Sequence, residues 1–299
     1  MNKTEMIREL RELTQAGMSD CKEALEQSNN DLQKAVDYIK TKGLNIADGR
    51  SGRVASEGVV TIANVDNGLA VMMEVNCQTD FVAKSSAFAD FALDAGNVLY
   101  QAFKNNQPFQ VSDVEDKRKA LVAITKENVV VRRWWGEQAV SPMARVFAYQ
   151  HSNNKIGVLI TVMASSEAAA NAPAFVGLGD NLAMQVAAMN PLAVDAERLD
   201  AADVNRQQAI FAQQLTEMNK PQAAWPKILE GKTRKWHTEV CLLEQESIWL
   251  PKTSVKQAVT NVGTALGGEI KVINFIRCQV GEGIETKKDN LAEEVAKMM

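Results

Sequence analysis

Residues able to do covalent chemistry are few and scattered in this chain. The two histidines, His151 and His237, stand far apart, and no His-x-x-x-His pair or Cys/His cluster offers the ligand spacing of a zinc site. The four cysteines, Cys21, Cys77, Cys241 and Cys278, form no Cys-x-x-Cys pair, and in a chain without an apolar leader they are expected to be reduced and partly buried. Gly231-Lys232-Thr233 ends like a phosphate-binding loop, but Pro226 stands where that motif needs its first glycine. Gly177-Leu178-Gly179 and Gly281-Glu282-Gly283 reach no third glycine, and a Gly-x-Ser-x-Gly elbow is absent. The expectation is a protein that is not an enzyme, with no cofactor and no metal of its own. What remains is a surface that a partner could read. Its centre is Asn76 to Ala83, where an acid (Asp80) and an aromatic (Phe81) follow directly on a strand.

The elements that must position this segment follow from periodicity and turn chemistry. Val59–Ala63 and Leu69–Val75 are strand-like and joined by Val65-Asp66-Asn67-Gly68, a hairpin turn. Thr79 suits an N-cap and Asp80 a first-turn acid of a helix running on through Phe88, Phe91, Ala95 and Phe103. Two positions are then open to Phe81: packed under the hairpin, or presented as an anchor.

Upstream, residues 1 to about 45 read as three short helices. Met6, Ile7, Leu10 and Leu13 form one face, Gly17 is a left-handed stop, Ser19 or Asp20 caps the second helix and Asn30 or Asp31 the third, and Gly43 ends it. Residues 46–57 read as a linker. Downstream, a charged helix spans 113–127 and a strand Asn128–Arg133. The Trp134-Trp135 pair that follows has at most one ring facing inward, the other being covered or exposed. Ala144–Tyr149 and Ile156–Val162 make a second hairpin through Ser152-Asn153-Asn154-Lys155, and a helix from 174 to 190 stops at Pro191. This repeats the earlier order, hairpin then helix. Residues 203–247 read as an antiparallel helical hairpin broken at Lys220-Pro221. A helix (254–267), a strand (269–277) and an amphipathic terminal helix carrying Leu291, Val295 and Met298 complete the chain.

The predicted class is therefore α+β: a small N-terminal bundle with linker (1–54), a first sheet-plus-helix subdomain (55–139), a second (140–202 and 248–278) interrupted by the helical hairpin (203–247), and a C-terminal helical module (279–299). The formal charge of −4 argues against direct nucleic-acid binding, which needs clustered Lys and Arg. The basic runs Lys117-Arg118-Lys119 and Lys232–Lys235 read as solvated helix faces. No apolar run approaches the ~20 residues of a membrane span, so a soluble, cytoplasmic protein is expected.

Three motifs together resemble the elongation factor Ts family: Leu13-Thr14-Gln15-Ala16-Gly17-Met18-Ser19-Asp20-Cys21-Lys22-Glu23-Ala24-Leu25, then Asn76-Cys77-Gln78-Thr79-Asp80-Phe81-Val82-Ala83, then Phe275-Ile276-Arg277 with Gln279-Val280-Gly281-Glu282-Gly283-Ile284-Glu285. Tyr149-Gln150-His151 with Ile156-Gly157-Val158-Leu159 is similar to a further segment of that family, and order and spacing match over nearly the whole chain. The resemblance implies a ubiquitin-associated-like bundle and a guanine-nucleotide exchange factor whose partner is the GTPase elongation factor Tu. It implies that Thr79, Asp80, Phe81 and Val82 disturb the partner's magnesium site, and that Leu10, Arg11, Met18, Ser19 and His151 are further contacts. Met18-Ser19 replaces the family's usual Met pair, and Gln185 stands where a His usually follows Met184. These departures leave a second reading from another class, a divergent Tu-binding scaffold or chaperone subunit without efficient exchange. A homodimer through the helical hairpin is a further expectation, although no heptad run demands it.

Overall fold

The computed structural model describes residues 2–14, 16–63, 68–218 and 221–285. It opens with α1 (Lys3–Thr14), α2 (Met18–Gln27) and α3 (Leu32–Arg50). Asp31 caps α3 by accepting from the Lys34 amide at 3.0 Å. Leu10, Ala16, Cys21, Ala24, Leu25, Ala35 and Ile39 form the bundle core.

Three local expectations change here. Gly17 is extended (φ −62°, ψ 151°) and is itself the N-cap of α2, so neither Ser19 nor Asp20 caps it. Gly43 does not end α3, which continues to Arg50; one glycine inside a helix costs only about 1 kcal/mol, too little to be a stop by itself. The linker shortens accordingly. Leu13 leaves the apolar face and is 65% exposed.

The strands β1 (Glu57–Ala63) and β2 (Leu69–Cys77) lead into a four-residue helix α4 (Asp80–Ala83) and then α5 (Ser86–Lys104). The expected single helix is broken at Lys84 because Ser85 starts a new cap, accepting from the Phe88 amide at 3.3 Å. Next come α6 (Glu115–Thr125) and β3 (Val130–Gln138), in a sheet of order β1-β2-β3. The strand runs on through both tryptophans. Each is half-buried, and Trp134 meets Phe109 edge to face at 5.1 Å, so neither is the freely exposed ring that the sequence allowed. The expected turn at 65–68 falls mostly outside the described residues, as does the terminal helix with Leu291, Val295 and Met298.

The second sheet, of order β4-β5-β6, contains β4 (Ala144–Gln150) and β5 (Ile156–Met163), antiparallel with Ala144 opposite Met163 and Gln150 opposite Gly157. A short helix α7 (Glu167–Ala170) and the long α8 (Pro173–Met189) follow. Then come α9 (Ala201–Glu217), α10 (Trp225–Val240), α11 (Val255–Ala265) and β6 (Lys271–Gln279). The core of this part gathers Phe147, Ile160, Phe175, Leu182, Val186 and Val259, among others. Gly231-Lys232-Thr233 lies inside α10, where Lys232 donates to Gln214 at 2.7 Å and sits over the Phe211 ring. Its ammonium is thus occupied in joining α10 to α9. The Lys117-Arg118-Lys119 run is likewise paired, to Asp94 and Glu115.

By compactness the described residues of 1–61, 73–134 and 279–299 form one unit, and those of 62–72 and 135–278 another. The first unit contains a buried charge cluster. Glu74 is fully buried on β2 and accepts from Arg132 (3.1 and 3.2 Å), Arg133 (2.5 Å), Asn76 (3.1 Å) and the Gly281 amide (2.8 Å). Arg132 also donates to the Glu282 carbonyl at 2.7 Å, and Arg133 to the Gln279 carbonyl at 3.1 Å. The Gly-Glu-Gly triplet is thereby the clasp of the chain's return to β2 and β3. Gly281 has φ +75°, and a Cβ there would stand 2.5 Å from the Ser56 carbonyl oxygen. Gly281→Ala is expected to destabilise this unit by about 1–3 kcal/mol, from left-handed backbone strain added to that clash, read as a lowered urea midpoint. An unchanged midpoint would refute the clasp.

Candidate functional site

Asn76 to Ala83 is built by a strand that ends and a helix that begins. All nine residues of β2 are buried, which fixes the strand's direction up to Cys77. Thr79 then turns out with extended backbone (φ −124°, ψ 154°), and its hydroxyl accepts from the Val82 amide at 3.3 Å, starting α4. Within α4, Ala83 points inward and is buried, while Phe81 points outward and is 82% exposed. Packing under the hairpin is excluded for Phe81. Among the described residues nothing covers this large apolar ring at the strand–helix junction, which is the position of an anchor. Thr79, Asp80 and Val82 are half-buried around it.

The junction is held from behind by a residue that sequence reading did not single out. One oxygen of Glu127 accepts from the Gln78 amide (3.1 Å) and the Thr79 amide (3.0 Å), and the other accepts from the Thr79 hydroxyl (2.6 Å). Asn128 ties its own amide to Gln78 Oε1 at 3.1 Å, and its side chain to the Ser51 and Arg53 carbonyls. Lys126, one residue earlier, pairs with Asp20 of α2 at 3.0 Å. No periodicity announces these contacts, because the partners lie 48 to 106 residues apart in the chain. The chain turns at the end of α6 through the left-handed cap Lys126 (φ 60°), which as a lysine carries no turn signal in the sequence.

Asp80 makes a 2.6 Å ion pair with Lys84, one turn on. The Lys84 ammonium holds the Asp80 carboxyl below its ordinary value, so the acid is charged at neutral pH. In the bundle, burial works against the charge of Asp20, but Lys126 and Lys42 outweigh it and keep that carboxyl low as well.

The other expected contacts divide. Arg11, Met18 and Ser19 are exposed, Met18 at 63%. Met18 and Arg11 border a surface depression of about 780 Å³ with Ile7 and Glu12. Leu10 is fully buried in the bundle core and offers no surface, so its part is to hold the helices that carry Arg11 and Met18. Exposed Leu13, read as core, instead adds apolar surface to the bundle. His151, at the β4–β5 turn, is exposed and shares a 2.9 Å hydrogen bond between Nδ1 and the Tyr149 hydroxyl. Gln185 is fully buried. It donates to Gln245 Oε1 and the Glu246 carbonyl and accepts from the Ile248 amide, an internal role that sets it apart from contact residues. Among the described residues no group of three His, Cys, Asp or Glu is placed to hold a metal ion, and no helix is long and apolar enough to cross a membrane.

Comparison with known proteins follows the same outline. A family model described as elongation factor TS matches residues 78–282, and one described as a UBA-like domain matches residues 1–39. The chain is similar to elongation factor Ts of Clostridioides difficile (strain 630), 39% identical over 303 residues, covering 99% of this chain and 98% of that one. The corresponding protein of Brucella anthropi is 37% identical over 301 residues, covering 97% and 96%. That of Symbiobacterium thermophilum is 40% identical over 293 residues, covering 97% and 95%.

Proposed function

The chain belongs to the elongation factor Ts family, and from that premise we propose that it is a guanine-nucleotide exchange factor for elongation factor Tu, with Thr79 to Val82 as the segment that dislodges the partner's magnesium. The observation that carries this reading is Phe81, an aromatic ring 82% exposed on a turn whose backbone is fixed by Glu127. Magnesium bridges nucleotide phosphates to a GTPase, so displacing its protein ligands weakens nucleotide binding without breaking a covalent bond. A ring wedged beside that site, with the charged Asp80 next to it, supplies the steric and electrostatic means. Arg11, Met18, Ser19 and Leu13 on the bundle, and His151 on the second sheet, supply the grip that supports the wedge.

Coupling between factor and nucleotide is reciprocal. Whatever the factor takes from nucleotide affinity, nucleotide takes from factor affinity, so rebinding of GTP expels the factor. At about 1.4 kcal/mol per tenfold, a thousandfold faster release needs about 4 kcal/mol of barrier lowering, within reach of one buried aromatic anchor and its rim.

The test is the rate of labelled GDP release from cognate Tu with and without the protein. Acceleration at micromolar factor supports exchange. Binding without acceleration would replace this reading with that of a Tu-binding scaffold.

A further inference from the structure

The two sheet-and-helix parts repeat one another at the junction itself. Ser166 caps α7 by accepting from the Ala169 amide at 3.2 Å, as Thr79 caps α4. Both short helices end the same way (Lys84 at φ −90°, ψ −5°; Asn171 at φ −92°, ψ −5°), and both are followed, three residues into the next cap, by a fully buried phenylalanine, Phe88 or Phe175. Before the third strand, each part passes through a left-handed residue, Lys126 (φ 60°) or Gly267 (φ +77°), four positions ahead of Val130 or Lys271.

Aligned this way, the copies differ in two places that matter. Phe81 corresponds to Ala168, and Glu127 corresponds to Gly268. The backbone of Gly268 closes directly on Ser165, the residue before the cap, leaving no room for a Cβ. The fold therefore forms this junction with neither a carboxylate behind it nor a ring in front. Where the ring is present, the carboxylate is present too, and it takes three hydrogen bonds from Gln78 and Thr79.

We propose that Glu127 is a positioning residue of the exchange reaction: it fixes the Gln78–Thr79 turn so that Phe81 is delivered in one orientation. The inference rests on the wedge reading above. An exposed ring on a four-residue helix would otherwise lose orientation with every rocking of that turn, and small misplacements at a reacting site cost large factors in rate.

The experiment measures fluorescent GDP release from cognate Tu across factor concentrations, with full-length protein. Glu127→Gln keeps size and one acceptor oxygen. It is expected to lower the maximal release rate about tenfold, as misorientation does, with the half-saturating concentration shifted less than about twofold because grip is separate from delivery. The double variant Phe81→Ala/Glu127→Gln is expected to be no slower than Phe81→Ala, since residues acting through one another are not additive. A wild-type maximal rate for Glu127→Gln, or losses that multiply in the double variant, would overturn the inference. If Phe81→Ala alone releases GDP at the wild-type rate, the wedge reading itself fails, whatever Glu127 does. Should Glu127→Gln melt below the assay temperature, Glu127→Asp, which keeps the charge and shortens the reach, is put through the same cycle with the same deciding outcomes.

Discussion

Phe81→Ala lowers the maximal rate of GDP release from cognate Tu by about 10- to 100-fold and leaves the factor's own melting temperature unchanged: that is the expected result, measured by fluorescent-nucleotide release beside a thermal melt. The two halves have separate causes. In the free protein the ring is 82% exposed, so its loss removes almost no buried area, and surface changes of this kind stay within about 0.5 kcal/mol. In the complex the ring is the largest apolar group offered at the junction, and removing such an anchor costs about 2 kcal/mol or more, which is upward of tenfold. The structure already contains the variant's geometry, because α7 carries Ala168 at the matching position and is still a capped helical turn. A Phe81→Ala protein that unfolds, or one that exchanges at full rate, would each contradict the assignment in a different half.

The second large effect concerns stability. Glu74→Ala is expected to cost about 3–5 kcal/mol, because it opens a buried void and removes the carboxylate on which Arg132, Arg133, Asn76 and the Gly281 amide converge. For a protein of this size that lowers the melting temperature by about 5–8 °C. Burial alone would push the Glu74 carboxyl up. The Gly281 amide, Arg133 and Asn76 outweigh it, and its value lies below the ordinary one. A depressed carboxyl contributes stability that is complete above its unfolded value and is lost as pH falls through the folded one. The wild-type protein should therefore lose stability below about pH 4, and Glu74→Ala should show a shallower acid slope. Parallel acid titrations of the two proteins decide the matter: identical slopes would mean that Glu74 carries none of the linkage.

Much of this arrangement was legible in the residues. The bundle, both hairpins, the helix after each and the α9–α10 pair follow from periodicity and turn chemistry, which are local. What escaped had non-local causes. Gly43 looks like a stop because glycine is a weak helix former, yet α3 passes through it to Arg50. Leu13 shares a helical face with Leu10, but only Leu10 is covered by the rest of the bundle. The exposure of Phe81 depends on a break at Lys84–Ser85 that turns α4 independently of α5. Glu127 and Glu74 act on partners dozens of residues away, and a lone Glu in sequence carries no mark of what it will accept. The Thr79–Val82 segment stood out in the sequence by its motif, and the structure adds an outward ring and a carboxylate behind it.

The repeated junction also makes this chain its own control. One copy keeps a bare turn, with Ala168 in front and Gly268 behind, and the other carries a ring in front of the same turn and a carboxylate behind it. Such a pair separates what the turn needs in order to form from what is added to it. Ring and carboxylate are present together in one copy and absent together from the other, so the backbone of the turn demands neither.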